Sequence, residues 1–246
     1  MTMLTSSIVV HWESSMRVRH LLAVAVLGCT SLGASAVSVF DFANLKYSGG
    51  VSSGFLPTDG VYCTGGDLCS SSVDTNVLGD DLTFVSGGVT VHATGFYNTT
   101  QVAVVQDHEN KYDPARKIGA GLGVYHHWKD TADDNITSFE SLVLNFDRAV
   151  VINAIGLASE GHSAGGWVPG ATFLLNGVNM ALPAGSGSIS PGFLASGTTF
   201  SFAFGGAVPD QFYLSSITVT PVPEPETWAL MALGLGLLGV ARRRKA

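Results

Sequence analysis

The sequence predicts an all-β body, a two-sheet sandwich of the jelly-roll-like kind, flanked by two terminal segments of different character. Short runs alternate apolar with small or polar residues, as at Phe200, Phe202 and Phe204, which is the period of a strand buried on one face. Gly, Ser, Asn and Asp separate these runs, and no segment between the termini keeps a helical period. Many short strands at fairly regular spacing favour a two-sheet sandwich over a barrel.

The same pattern gives ten candidate strands. They lie at residues 37–42, 82–85, 89–96, 102–106, 121–126, 142–146, 150–157, 171–175, 198–204 and 212–220. The pair 142–146 and 150–157 is predicted as two half-buried strands joined by a tight turn at Asp147 and Arg148.

Residues 1–36 have the parts of a secretion signal, which predicts an N-terminal signal helix. Arg17 and Arg19 supply a positive region, an apolar run follows, and Ala34 and Ala36 are the small residues that precede cleavage before Val37. We therefore expect the mature body to occupy residues 37–220.

Two alternatives concern this segment. The first fifteen residues contain Glu13 and no Lys or Arg, so Met16 is an alternative start to Met1. A lipoprotein signal ending at Cys29 is the other, but the apolar run continues beyond that cysteine and the small-residue cleavage site is better formed.

The C-terminus reads as a Pro-rich spacer at 221–227 followed by a short transmembrane helix and basic tail at 228–246. The apolar run, residues 228–241, is shorter than the roughly 20 residues of a usual membrane span, so a buried helix is the alternative by length. The helix has no polar face, and consecutive cations favour the cytoplasmic side. This cytoplasmic stop consists of Arg242, Arg243, Arg244 and Lys245.

The motif Val222-Pro223-Glu224-Pro225, the Gly/Leu-rich apolar run and the Arg-rich end together resemble the PEP-CTERM sorting domain of bacteria that possess an exosortase. The resemblance covers about the last tenth of the chain. It implies secretion, transient arrest in the inner membrane, and cleavage near Pro223-Glu224-Pro225 by an exosortase, a membrane-embedded enzyme of cysteine transpeptidase type. Glu226 departs mildly from the Ser or Ala that the family often has there.

The body is acidic. Between residues 37 and 220 it has six Lys and Arg against sixteen Asp and Glu, so its formal charge is 6 − 16 = −10. Nucleic acid is excluded as a partner, because phosphate binding needs clustered cations. Such a body either attracts divalent cations or is simply soluble.

Cys63 and Cys69 are five residues apart in a Gly-containing loop. In an oxidising compartment this spacing predicts a local disulfide, and two free thiols are the alternative.

A loop between two predicted strands is a candidate Ca²⁺ site, the one cofactor that the sequence suggests. Oxygen ligands would come from Asp130, Asp133, Asp134, Asn135 and Glu140. The spacing is not that of an EF-hand, and a solvated loop rich in turn formers is the alternative.

Exposed aromatic residues are the second candidate for binding. Four aromatic residues fall in predicted loops or at strand ends: Tyr62, Tyr97, Trp128 and Trp167. Such a ring, above all Trp128 or Trp167, can stack on a sugar of an extracellular polysaccharide, or can instead fill a gap beneath its loop. Ser163 matches Gly-x-Ser-x-Gly, but Gly and Pro that follow break the helix a hydrolase elbow needs, so we reject that assignment. No catalytic residue is predicted.

The sequence therefore predicts an exported, exosortase-processed cell-surface or extracellular-matrix protein. Its body is non-enzymatic, with polysaccharide and calcium as candidate ligands. A secreted polymer-degrading enzyme and a purely structural surface protein are the alternatives.

Overall fold

The computed structural model describes residues 36–48, 50–59, 62–63, 68–70, 81–107, 119–126, 134–183, 185, 187–190 and 196–243. The predicted signal helix falls in residues 1–35, outside these ranges. One compact unit is the body, Ala36–Val222, and a second contains the C-terminal helix.

The described residues form fifteen strands and one helix. They are β1 (Ser38–Phe40), β2 (Leu45–Ser48), β3 (Val51–Gly54), β4 (Tyr62–Cys63), β5 (Leu68–Ser70), β6 (Leu82–Ser86), β7 (Val89–Tyr97), β8 (Thr100–Asp107), β9 (Gly121–Tyr125), β10 (Glu140–Ala158), β11 (Thr172–Leu175), β12 (Val178–Ala181), β13 (Ser188–Ile189), β14 (Ser196–Phe204), β15 (Tyr213–Pro221) and α1 (Pro225–Arg243).

The all-β prediction for the body is confirmed, but the described strands do not form the two large sheets of a sandwich, and the only second sheet among them is the pair β2-β3. Thirteen of them belong to one hydrogen-bonded network whose main order is β1-β15-β9-β8-β7-β10-β14-β11-β12. The long strand β10 pairs with β7 through its first half and with β15 through its second half. Because β7, β8, β9 and β15 are also paired in series, β10 closes a ring of five strands.

Strand β10 also corrects one prediction. Residues 142–146 and 150–157 lie on a single strand of 19 residues, so the tight turn predicted at Asp147 and Arg148 is wrong. These two side chains are consecutive and both exposed, and the Arg148 guanidinium donates to the Asp147 carboxylate at 2.9 Å. The pairing with β14 shifts register between Asn145 and Val150, as at a β-bulge. The polar pair therefore marks the place where the strand changes neighbours without reversing.

Strand β1, the first strand of the body in sequence, pairs with β15, the last one. Ser38 faces Val219, and Phe40 faces Ile217, in antiparallel register with β15. The first strand of the body is thus paired with its last.

One continuous core lies inside the ring, and the strands supply it through alternating positions. In β7, Val89, Val91 and Ala93 are buried, and the residues between them are not. Phenylalanines fill much of the volume; for example, the rings of Phe42 and Phe84 meet edge to face at 5.0 Å.

A glycine permits one close backbone approach in this core. A Cβ at Gly123 in β9 would lie 1.7 Å from the carbonyl oxygen of Asp134. The absent side chain lets the segment after residue 133 run against β9, where Val124 N donates to Asn135 O.

Helix α1 carries the apolar run predicted as a transmembrane helix. Leucines at 230, 233, 235 and 237 are all exposed. The fourteen residues 228–241 rise about 21 Å, against about 30 Å for a bilayer core, and Glu226 and Arg242 lie within the helix. Among the described residues no helix has the length and apolarity required to cross a membrane, so the transmembrane prediction is not confirmed.

Candidate functional site

The C-terminal segment begins where the body ends. Strand β15 ends at Pro221, and Val222 N donates to the carbonyl oxygen of Ala149 at 2.8 Å. Helix α1 starts at Pro225, a position where the missing N–H of proline costs no helical hydrogen bond. Residues 222–224 have neither strand nor helix structure, and Glu224 is exposed.

The basic tail lies partly in the described residues. Arg242 and Arg243 occupy the last turn of α1, where positive charge is favourable to the helix dipole. Arg244 and Lys245 lie outside the described residues. At the other end, Ala34 also lies outside them, and Ala36 directly precedes the body with its side chain exposed.

The two cysteines predicted to form a disulfide face each other across a hairpin. Cys63 in β4 and Cys69 in β5 are directly opposed in antiparallel register. Opposed residues in antiparallel pairs have Cα atoms about 4.5 to 5.5 Å apart, which lies within the range that a disulfide spans. The disulfide itself stays a prediction.

The calcium prediction is only partly covered by the structure, since Asp130 and Asp133 lie outside the described residues. The three others turn to different partners. Asp134 accepts from the Tyr213 hydroxyl at 2.5 Å, and Asn135 Nδ2 donates to Glu160. Glu140 accepts from Thr137 N at 2.9 Å. Within the described ranges, no three His, Cys, Asp or Glu side chains are placed to hold a metal ion.

Of the two tryptophans predicted to stack on sugar, Trp128 lies outside the described residues and Trp167 is half-buried. The indole of Trp167 packs against the core, and its Nε1 donates to the carbonyl oxygen of Gln211 at 3.0 Å. Trp167 is therefore held against the core by packing and by one hydrogen bond, and its role in stacking stays a prediction.

Ser163, in the Gly-x-Ser-x-Gly match, lies in a serine-rich turn. Its hydroxyl donates to Gly165 O at 2.6 Å and lies 3.0 Å from the Ser159 hydroxyl. His162 N donates to Ser159 O, which closes the turn. The serine is thus engaged with its own loop.

A buried polar cluster around Tyr213 was not found by sequence reasoning. Its inner members are the Asp107 and Asp134 carboxylates and the His162 imidazole, and the exposed Glu160 carboxylate lies at its edge. His162 Nε2 lies 2.8 Å from Asp107 Oδ2, with side chains 4% and 1% exposed, and its ring meets Tyr213 edge to face. The members are spread along the chain from residue 107 to residue 213, so no short sequence motif predicts the cluster.

Burial sets the electrostatics of this cluster. Burial raises the pKa of Asp134 above its usual value, and the charge of Glu160 acts in the same direction, while the hydrogen bond from Tyr213 opposes both. Burial also raises the pKa of Tyr213, with a further contribution from the Asp134 and Asp107 carboxylates. The phenol therefore remains a neutral donor at any physiological pH. The cluster joins the segment after residue 133 to β8 and β15.

The body and its terminal segment define a class: an all-β domain followed directly by a short C-terminal signal. The comparison with known families then specifies that signal. Residues 221–245 match the PEP-CTERM protein-sorting motif, so the chain carries this motif at its C-terminus, as its sequence indicated. No curated protein and no solved structure gives a significant match to the chain.

Proposed function

We propose that this protein is exported, processed by an exosortase-type enzyme at residues 222–225, and released as a non-enzymatic body at the cell surface or in the extracellular matrix. One observation carries the proposal: the sorting motif at 221–245 begins at the last residue of the last strand of the body. The body ends where the motif starts.

The three residues between β15 and α1 suit a processing enzyme. Residues 222–224 lie outside regular structure, and beyond Val222, whose N–H is bonded to Ala149 O, Glu224 is exposed. Prolines on both sides of Glu224 keep the backbone from joining the last strand or extending the helix backwards. An enzyme of cysteine transpeptidase type needs such an accessible segment.

Cleavage there would leave the body complete. Strand β15 pairs with β10 from Val150↔Pro221 to Ala158↔Tyr213, and with β1 near its end. All these pairs lie before residue 222. The released body would therefore keep every described partner of its last strand.

The exposed leucines of α1 support contact with an apolar environment during processing. Leu230, Leu233, Leu235 and Leu237 are about 60% exposed. Leu230, Leu233 and Leu237 have the spacing of one helix face, and Leu235 lies on the opposite side. Water is a poor solvent for such a helix. The inner membrane and a membrane-embedded enzyme both offer an apolar environment.

An all-β body that binds a ligand is favoured over an enzyme. Hydrolysis of polymers requires carboxylates in a cleft open to substrate. In the described body the carboxylates of Asp107 and Asp134 are instead turned inward to His162 and Tyr213. A purely structural surface protein is the remaining alternative.

Intact mass spectrometry of the surface protein tests the proposal in a host that has an exosortase and in the same host without it. We expect the processed form to lack α1 only when the enzyme is present. Glu224→Ala with Pro223→Ala should reduce processing, whereas Val178→Ala, at an exposed position of the edge strand β12, should not. Surface protein that keeps residues 228–246 in the exosortase host would overturn the proposal.

A further inference from the structure

We infer that Phe139, supported by Tyr97 and His126, forms a stacking site for a neutral polysaccharide. These three residues are called the aromatic platform below. The inference deepens the proposed function and rests on it, since it assigns a ligand class to the body at the cell surface.

The first observation is the position of Phe139. Its side chain is 63% exposed, and its φ is +70°, in the left-handed region that bulky residues rarely adopt. Glycine would be the natural residue there if only the turn mattered. A large ring is thus presented to solvent at a backbone position that disfavours it, which is a pattern typical of functional sites.

The turn that holds this ring is firmly bonded. Asn98 N donates to Phe139 O at 2.7 Å, Glu140 N donates to Thr137 O at 2.9 Å, and Thr137 N donates to the Glu140 carboxylate. Glu140 is buried and begins β10, where it faces Tyr97 of β7. Phe139 therefore extends from a fixed strand end.

Aromatic side chains support the ring from below. Tyr97 meets Phe139 edge to face, with ring centroids 6.1 Å apart. The same tyrosine lies flat against His126, with centroids 4.1 Å apart and planes 3° from parallel. Tyr97 also packs against the core. A stacking site needs a ring whose orientation is set before the ligand arrives, and this arrangement provides it.

The residues around the platform favour a sugar. The turn next to Tyr97 exposes Asn98, Thr99 and Thr100, and Thr137 and Ser138 are half-buried beside Phe139. Amides and hydroxyls both donate and accept hydrogen bonds, as sugar hydroxyls require. An aromatic surface with a few uncharged polar groups matches a pyranose ring, which has an apolar C–H face and a polar rim.

Charge selects the kind of polysaccharide. The body has a formal charge of −10 between residues 37 and 220. A polyanion such as alginate is repelled by that charge. The ligand class is therefore a neutral hexose polymer.

Co-sedimentation of the purified full chain with insoluble cellulose, β-1,3-glucan and alginate gel tests this inference. We expect binding to at least one neutral polymer and none to alginate. Phe139→Gly should weaken that binding about tenfold, because it removes the ring at a position where glycine is conformationally favoured. Phe139→Trp should retain binding, and Phe139→Leu, which keeps an apolar side chain without an aromatic face, should not.

Val178→Ala is the matched control. Val178 is an exposed apolar residue, 57% accessible, on β12 and away from the platform, so its loss should leave binding unchanged. Binding by Phe139→Gly or Phe139→Leu equal to that of the original chain would overturn the inference, as would no binding to either neutral polymer. Export and processing of Phe139→Gly should remain normal, so failure of the stacking site is distinguishable from failure of the sorting proposal.

Discussion

Tyr213→Phe is a direct test of the buried polar cluster, because it removes one oxygen atom and leaves the ring in place. That oxygen donates to Asp134 at 2.5 Å, and both residues are largely shielded from water. Hydrogen bonds to charged groups contribute about 1.5 to 3 kcal/mol, and the carboxylate left behind is also deprived of a partner. We expect the free energy of unfolding to fall by about 2 kcal/mol at pH 7.

The effect should depend on pH with a definite sign. The pKa of Asp134 is raised in the folded state, mainly by burial, so this group favours the folded state most when protonated. Its contribution is fully present below the unfolded pKa and is lost as pH rises through the folded pKa. Tyr213→Phe removes an interaction that favours the charged carboxylate, so its cost should be greatest at pH 7 and become smaller as acid protonates Asp134.

Urea denaturation of the full chain, monitored by tryptophan fluorescence at pH 7 and at pH 4, measures the loss of unfolding free energy caused by Tyr213→Phe and its dependence on pH. Asp134→Asn combined with Tyr213→Phe completes a double-mutant cycle that isolates the pairwise interaction. A loss of unfolding free energy below about 0.5 kcal/mol at pH 7 would refute the reasoning, since an exposed contact gives such a value. A loss that is the same at both pH values would also refute it, since that result indicates an uncharged contact.

Two further predictions concern the core and the hairpin. Leu144→Ala should lower the free energy of unfolding by about 2 to 5 kcal/mol in the same urea assay, because Leu144 is fully buried. The exposed control Val178→Ala should change it by less than about 0.5 kcal/mol. Equal effects of the two substitutions would contradict the assigned burial. Alkylation of the exported protein without reductant should leave Cys63 and Cys69 unmodified, whereas mass spectrometry that finds both thiols alkylated would contradict the disulfide.

Periodicity in the sequence was sufficient for most of the body. The runs 89–96 and 198–204 alternate because one face of each strand meets the core, and they correspond to β7 and β14. The exposed edge strand β12 was missed, since its side chains are mostly exposed and carry no such alternation. The dipeptide Asn176-Gly177, a common sequence for a tight β-hairpin turn, could have predicted the hairpin of β11 and β12, and both of its residues have positive φ.

The buried polar cluster could not be predicted in the same way. His162 and Asp107 come from distant parts of the chain, and only the pairing of strands brings them together. The aromatic platform is similar, since Tyr97 ends β7, His126 follows β9 and Phe139 precedes β10. Local patterns encode which residues alternate, whereas long-range register decides which side chains meet.

The pairing of β1 with β15 has a consequence for the timing of export. The pair Ser38↔Val219 lies two residues before Pro221, so the start of the first strand of the body is close to the start of the sorting motif. Strand β1 leaves the secretion channel first, but its described partner arrives some 180 residues later. The sheet can be completed only when the sorting motif is itself about to emerge. If the chain is secreted from its N-terminus as proposed, β1 and β15 pair only after the residues directly before the sorting motif have emerged.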